Sequence, residues 1–148
     1  MLFFQVPGSI AWVRLRKLAS IRTLWKRWSP GLSPEHPQLQ ETLRILSCGK
    51  SLKNAVLYYR YALNPLYGFM GSSPLKTLKL LLNPKGLPCL TIYGINDGCM
   101  IPQVFKGSEL AFSHPLSRTV AIPQAGHFVH LDKADVFNQV LLDFNTEA

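Results

Sequence analysis

Acidic side chains are scarce. Eight Asp and Glu stand against sixteen Lys and Arg in 148 residues, leaving a net charge of +8. Cysteine is scarce too. Three are too few, and odd in number, for a disulfide scaffold. Cys48, Cys89 and Cys99 show neither a Cys-x-x-Cys spacing nor a companion histidine at zinc spacing. They read as free thiols of a reducing, cytoplasmic compartment. No apolar run approaches the roughly 18 to 20 residues that a membrane span needs. The N-terminal Met-Leu-Phe-Phe has no charged region before it, which argues against a secretory signal. Internal repeats, heptads and a collagen period are all missing. Apolar residues make up 47% and charged residues 16%, which excludes a disordered tail and suits one ordinary domain.

The positive charge is uneven. Residues 1–60 carry ten Lys and Arg against Glu35 and Glu41, while residues 61–148 carry six of each sign and are neutral. The bases are spread singly rather than in a run, so a solvated helical face explains them better than a nucleic-acid surface.

Periodicity divides the chain. Residues 11–28 read as a helix, with Leu18, Ile21, Leu24, Trp25 and Trp28 on one arc and Arg22, Lys26 and Arg27 opposite. Pro30, Pro34 and Pro37 make 29–38 a loop. Residues 39–47 and 51–63 read as two further helices, with Gly49 as a stop between them. Residues 66–87 read as a connection. The period then changes. Leu90–Tyr93 and Thr119–Ile122 are short apolar runs of strand type. Residues 102–112 read as a helix opened by Pro102. Residues 132–144 read as a last helix, with Val136, Phe137, Val140, Leu141 and Phe144 on one face and Asp132 and Asp135 at its positive end. The second half is thus a β-α-β-α unit with two parallel strands.

The chemistry sits after those strands. Asp97 follows the first, in Tyr93-Gly94-Ile95-Asn96-Asp97-Gly98, and His127 follows the second, in Ile122-Pro123-Gln124-Ala125-Gly126-His127. Ligand and catalytic groups of open α/β sheets lie beyond the carboxyl ends of parallel strands. A carboxylate beside an imidazole fixes its tautomer and stabilises the imidazolium, which makes a general base. A metal is a poor alternative. His127, His130 and Asp132 lack a further ligand at zinc spacing.

Residues 88–148 resemble the C-terminal part of the α/β-hydrolase fold, with Asp97 as the acid and His127 as the histidine of the triad. Phe3-Phe4-Gln5-Val6-Pro7-Gly8, Leu24-Trp25-Lys26-Arg27-Trp28-Ser29-Pro30 and Leu57-Tyr58-Tyr59-Arg60 resemble the helical cap of the epoxide hydrolase-like branch, which also holds dehalogenases. The resemblance implies an incomplete α/β-hydrolase fold: a cap and connection over 1–87 and a C-terminal piece of the core over 88–148. It also implies a small-molecule substrate, no cofactor, and hydrolysis through a covalent ester. Tyr59 would then be one of two cap tyrosines that bind the epoxide oxygen; the position of the other would fall before Met1.

The nucleophile departs from the pattern. No Gly-x-Ser-x-Gly or His-Gly segment occurs, and neither Gly31-Leu32-Ser33 nor Gly71-Ser72-Ser73 joins a strand to a helix in this reading. Two expectations of different class follow. One is a hydrolase of this superfamily lacking its nucleophile-bearing N-terminal core. The other is a non-catalytic truncated product or a basic interaction module.

Overall fold

The computed structural model describes Val6, residues 8–63 and residues 86–147, with the backbone alone at 58, 59 and 61–63. The described residues form a mixed α/β structure, with four helices in residues 8–63 and a small parallel sheet and two helices in residues 86–147. The helices are α1 (Ser9–Leu15), α2 (Ala19–Trp28), α3 (Pro37–Ser47) and α4 (Gly49–Leu63). Strand β1 (Leu90–Gly94) and strand β2 (Arg118–Ile122) follow, then α5 (Val129–Asp132) and α6 (Ala134–Glu147). No described helix is long and apolar enough to cross a membrane.

The chain forms two compact units. One holds the described residues up to Leu24 and from Pro34 to Leu63; the other holds Trp25–Ser33 and the described residues from Gly86 onward. The segment Trp25–Ser33, which lies within residues 1–87, belongs to the same compact unit as the strands.

In the first unit α4 packs against α1 and α3, and Val13, Leu18, Leu39, Leu43, Leu52 and Val56 are buried. The single helix expected over 11–28 is two. Lys17 and Leu18 both take left-handed backbone angles, with φ of 47° and 59°. The Lys17 amide donates to the Arg14 carbonyl and the Leu18 amide to the Val13 carbonyl. That pair of bonds is a Schellman ending, and Leu18 and Val13, the apolar partners it brings together, are both buried. Glycine normally marks such an ending; lysine stands here, so the sequence carries no sign of it. Gly49 opens α4 instead of stopping α3. A Cβ there would lie 2.5 Å from an Arg14 guanidinium nitrogen, so the missing side chain makes room for arginine. Helix α3 begins two residues earlier than expected, at Pro37. The His36 imidazole caps it by accepting the Gln38 amide at 3.1 Å.

In the second unit β1 and β2 pair in parallel, with Leu90 opposite Arg118 and Gly94 opposite Ile122, as the β-α-β pattern predicts. The helix expected over 102–112 is replaced by two 3-10 turns, Pro102–Val104 and Ser108–Ala111. Gly107 sits between them at φ 80°, a conformation that ends any continuous helix. Ile122, Ala125 and Val129 form the core, with Ile92, Val120 and Phe137 packed against it. The last helix is α6, and its expected apolar face is only partly covered. Phe144 is buried, while Val136 and Leu141 are exposed. Trp25 is buried and Trp28 half-buried, with Arg22, Lys26 and Arg27 exposed, as the arcs of 18–28 require. The expected connection over 66–87 lies outside the described residues save for its last two.

An L-residue in the left-handed region is strained by roughly 1–2 kcal/mol, and glycine loses part of that gain through its freer unfolded chain. Lys17→Gly should therefore stabilise the chain by about 0.5–1 kcal/mol. The same change at exposed Lys26, inside α2, should destabilise it by about 0.5–1 kcal/mol. Urea unfolding of the two variants should move the midpoint in opposite directions.

Candidate active site

Two loops leave the carboxyl ends of adjacent strands and are tied together at once. The Ile95 amide donates to the Ile122 carbonyl at 3.1 Å, and the Asn96 amide to the Ala125 carbonyl at 2.8 Å. Gly94 has no side chain because a Cβ would run into the Ala125 and Gly126 carbonyl oxygens. The chain after β1 then turns on Asp97. One carboxylate oxygen, Oδ1, accepts the amides of Cys99 at 2.7 Å and Met100 at 3.0 Å. The other, Oδ2, lies 2.9 Å from His127 Nδ1. The two residues singled out in the sequence thus meet, thirty positions apart in the chain.

Their exposure differs in a useful way. The Asp97 side chain is 5% exposed and that of His127 is 32% exposed. Burial works against the Asp97 charge, yet the His127 hydrogen bond and the Met100 and Cys99 amides outweigh it. Its carboxyl is held below the usual carboxylate range, so it stays ionised and can only accept. Nδ1 therefore carries the proton and donates to Oδ2, which leaves Nε2 with a free lone pair. The Trp28 ring meets the imidazole edge-on at 5.2 Å and Phe128 does so at 5.3 Å. The result is an oriented base on a partly apolar wall.

A third segment joins the two loops. The Trp28 carbonyl, at the end of α2, accepts both the His127 amide at 2.8 Å and the Gly98 amide at 3.3 Å. A Cβ on Gly98 would overlap the Arg27 carbonyl oxygen. Nothing in the order of residues announced this role for Trp28; the Trp-Ser-Pro stretch reads as a helix ending.

Cys99 stands beside the pair but is unsuited to be its nucleophile. Burial first, and then the Asp97 charge, push its thiol up, so it stays protonated. Tyr59 belongs to α4 by its backbone, and its side chain lies outside the described residues. His130 is exposed and meets the Phe137 ring edge at 6.0 Å. Asp132, expected at the start of the last helix, ends α5 instead and turns its carboxylate back to the Gly126 amide at 2.8 Å. Among the described residues no three His, Cys, Asp or Glu groups gather as a metal site.

Comparison with protein-family models, with curated proteins and with solved structures returns no match.

Two measurements follow from this geometry. Asp97 binds its proton less readily in the folded chain than in the unfolded one, whose carboxyl titrates near the ordinary value of about 3.9. Its contribution to stability is full above that value and is lost as the pH falls through the lowered folded value. Wild type should therefore exceed Asp97→Asn in urea midpoint at pH 7, and the gap should shrink at about pH 3; a gap independent of pH would refute the ionised state. Gly98→Ala should destabilise by about 1–3 kcal/mol, since the added methyl group meets backbone and not a movable side chain. The same urea titration at pH 7 checks it.

Proposed function

We propose that the chain is the part of an epoxide hydrolase-like α/β-hydrolase that carries the helical cap, the acid and the histidine. The observation that supports this reading most is the 2.9 Å approach of Asp97 Oδ2 to His127 Nδ1 beyond the carboxyl ends of two parallel strands. The family resemblance of the sequence adds the reaction type, and the substrate is a small molecule.

In this reading a carboxylate nucleophile, supplied by the nucleophile-bearing core of such an enzyme, opens an epoxide and becomes an ester. His127 Nε2 then takes a proton from water. The water oxygen attacks the ester carbonyl carbon and the bond from that carbon to the substrate oxygen breaks; the imidazolium proton and the proton of the new carboxyl pass to the two substrate oxygens, and a diol leaves with the carboxylate nucleophile regenerated. Asp97 stabilises the imidazolium while it holds the proton. The role of Tyr59 as a cap tyrosine for the epoxide oxygen rests on the family resemblance alone. The proposed chemistry calls for no cofactor. Cys99 does not take the nucleophile's part, because burial and then the Asp97 charge hold its thiol protonated.

The chain alone should hydrolyse neither styrene oxide nor p-nitrophenyl acetate faster than its His127→Ala variant, since triad members act as a unit. Fused to the nucleophile-bearing half of an epoxide hydrolase-like enzyme, it should turn over the epoxide. There His127→Ala should cost about 10²–10⁴-fold, the usual worth of a general base. A fusion that unfolds cooperatively yet shows no turnover, or whose turnover survives His127→Ala, overturns the reading.

A further inference from the structure

Three successive amides around the histidine are each held by a different group. Gly126 N–H donates to Asp132 Oδ2 at 2.8 Å, His127 N–H to the Trp28 carbonyl at 2.8 Å, and Phe128 N–H to Ser29 Oγ at 2.9 Å. Ser29 is fully buried. Its own amide donates to the Trp25 carbonyl at 3.0 Å, so it is fixed to the last turn of α2. The fit is close. A Cβ on Gly126 would lie 2.5 Å from Ser29 Cα and 2.7 Å from Ser29 Oγ.

His127 has a glycine on one side, and glycine resists no rotation of the backbone. The Gly126 amide is tied to Asp132, and the ring keeps its place against Asp97 when the backbone on the other side is held as well. Phe128 is that side, and its amide ends on the Ser29 hydroxyl. Trp28, the residue before Ser29, also accepts the amide of Gly98, next to Asp97. The pair Trp28–Ser29 therefore sets the spacing of both loops from one side.

We propose that Ser29 is a positioning residue of the Asp97–His127 site: its buried hydroxyl, by accepting the Phe128 amide, holds the His127 loop where Nδ1 reaches Asp97. This rests on reading the pair as the catalytic acid and base, yet its test does not depend on turnover. A loose loop lets the imidazole leave Oδ2, and the ring then exchanges between its two neutral tautomers.

The test uses the full-length ¹⁵N-labelled chain above the histidine titration. Long-range imidazole spectra should show wild-type His127 protonated at Nδ1. Ser29→Ala should move it toward the mixed tautomers of a free imidazole, as Asp97→Asn does. Leu43→Ala removes buried side chain from α3 in the other unit. It should lower stability and leave the His127 tautomer unchanged, which separates positioning from general loosening. Ser29→Ala with the wild-type tautomer overturns the proposal. Should Ser29→Ala fail to fold, amide exchange in the wild type decides. The Phe128 amide should be protected together with those of Gly126 and His127, and exchange of Phe128 alone at the rate of an open loop overturns the assignment. A fusion without turnover refutes the proposed function and leaves these readouts intact.

Discussion

One carbonyl group carries the site. The oxygen of Trp28, exposed where α2 ends, accepts an amide from each of the loops that follow β1 and β2. The last carbonyls of a helix have no partner within it and must find one elsewhere. Here the partners are the amides of Gly98 and His127, and the need of a helix end and the need of two loops are met by the same bonds. Three stretches of backbone come into contact with little side chain between them. Gly94, Gly98 and Gly126 are the positions where a Cβ would prevent it.

The electrostatics build on that contact. A carboxylate with a side chain only 5% exposed stays charged because three donors face it: two amides of its own turn and the imidazole. Two of those donors come from the residues just after Asp97, so the charge is prepared locally and the histidine meets a ready acceptor. Burial first, and then the same charge, suppress ionisation of the neighbouring thiol, Cys99. The site thus sets an oriented imidazole beside a thiol that is kept protonated.

Much of the second unit was legible in the sequence. Two apolar runs separated by a crossover length specify parallel neighbours, and Asp97 and His127 each stand a few residues beyond a strand. What was hidden has physical reasons. The break between α1 and α2 rests on Lys17 and Leu18 in left-handed conformations that glycine usually signals. The turns over 102–112 share an apolar spacing with a helix, and only Gly107 betrays them. His36 as a helix cap, Asp132 as an acceptor and Ser29 as an anchor depend on partners met only after folding. Side chains that bond to a distant backbone leave no periodic trace.

The anchor also imposes an order on assembly. Asp97 and His127 are 30 residues apart, whereas Ser29 and Phe128 are 99 apart, with residues 34–63 of the other unit lying between them in sequence. Closing the longer loop costs about 1 kcal/mol more in chain entropy when it is closed first. The strand pair can bring acid and histidine near each other while the Trp-Ser segment is still unattached. That segment leaves the ribosome 99 residues ahead of Phe128, so its binding site is complete only once Phe128 has emerged. The final tightening of the site therefore comes late in the synthesis of this stretch, because the Ser29 hydroxyl must wait for the Phe128 amide.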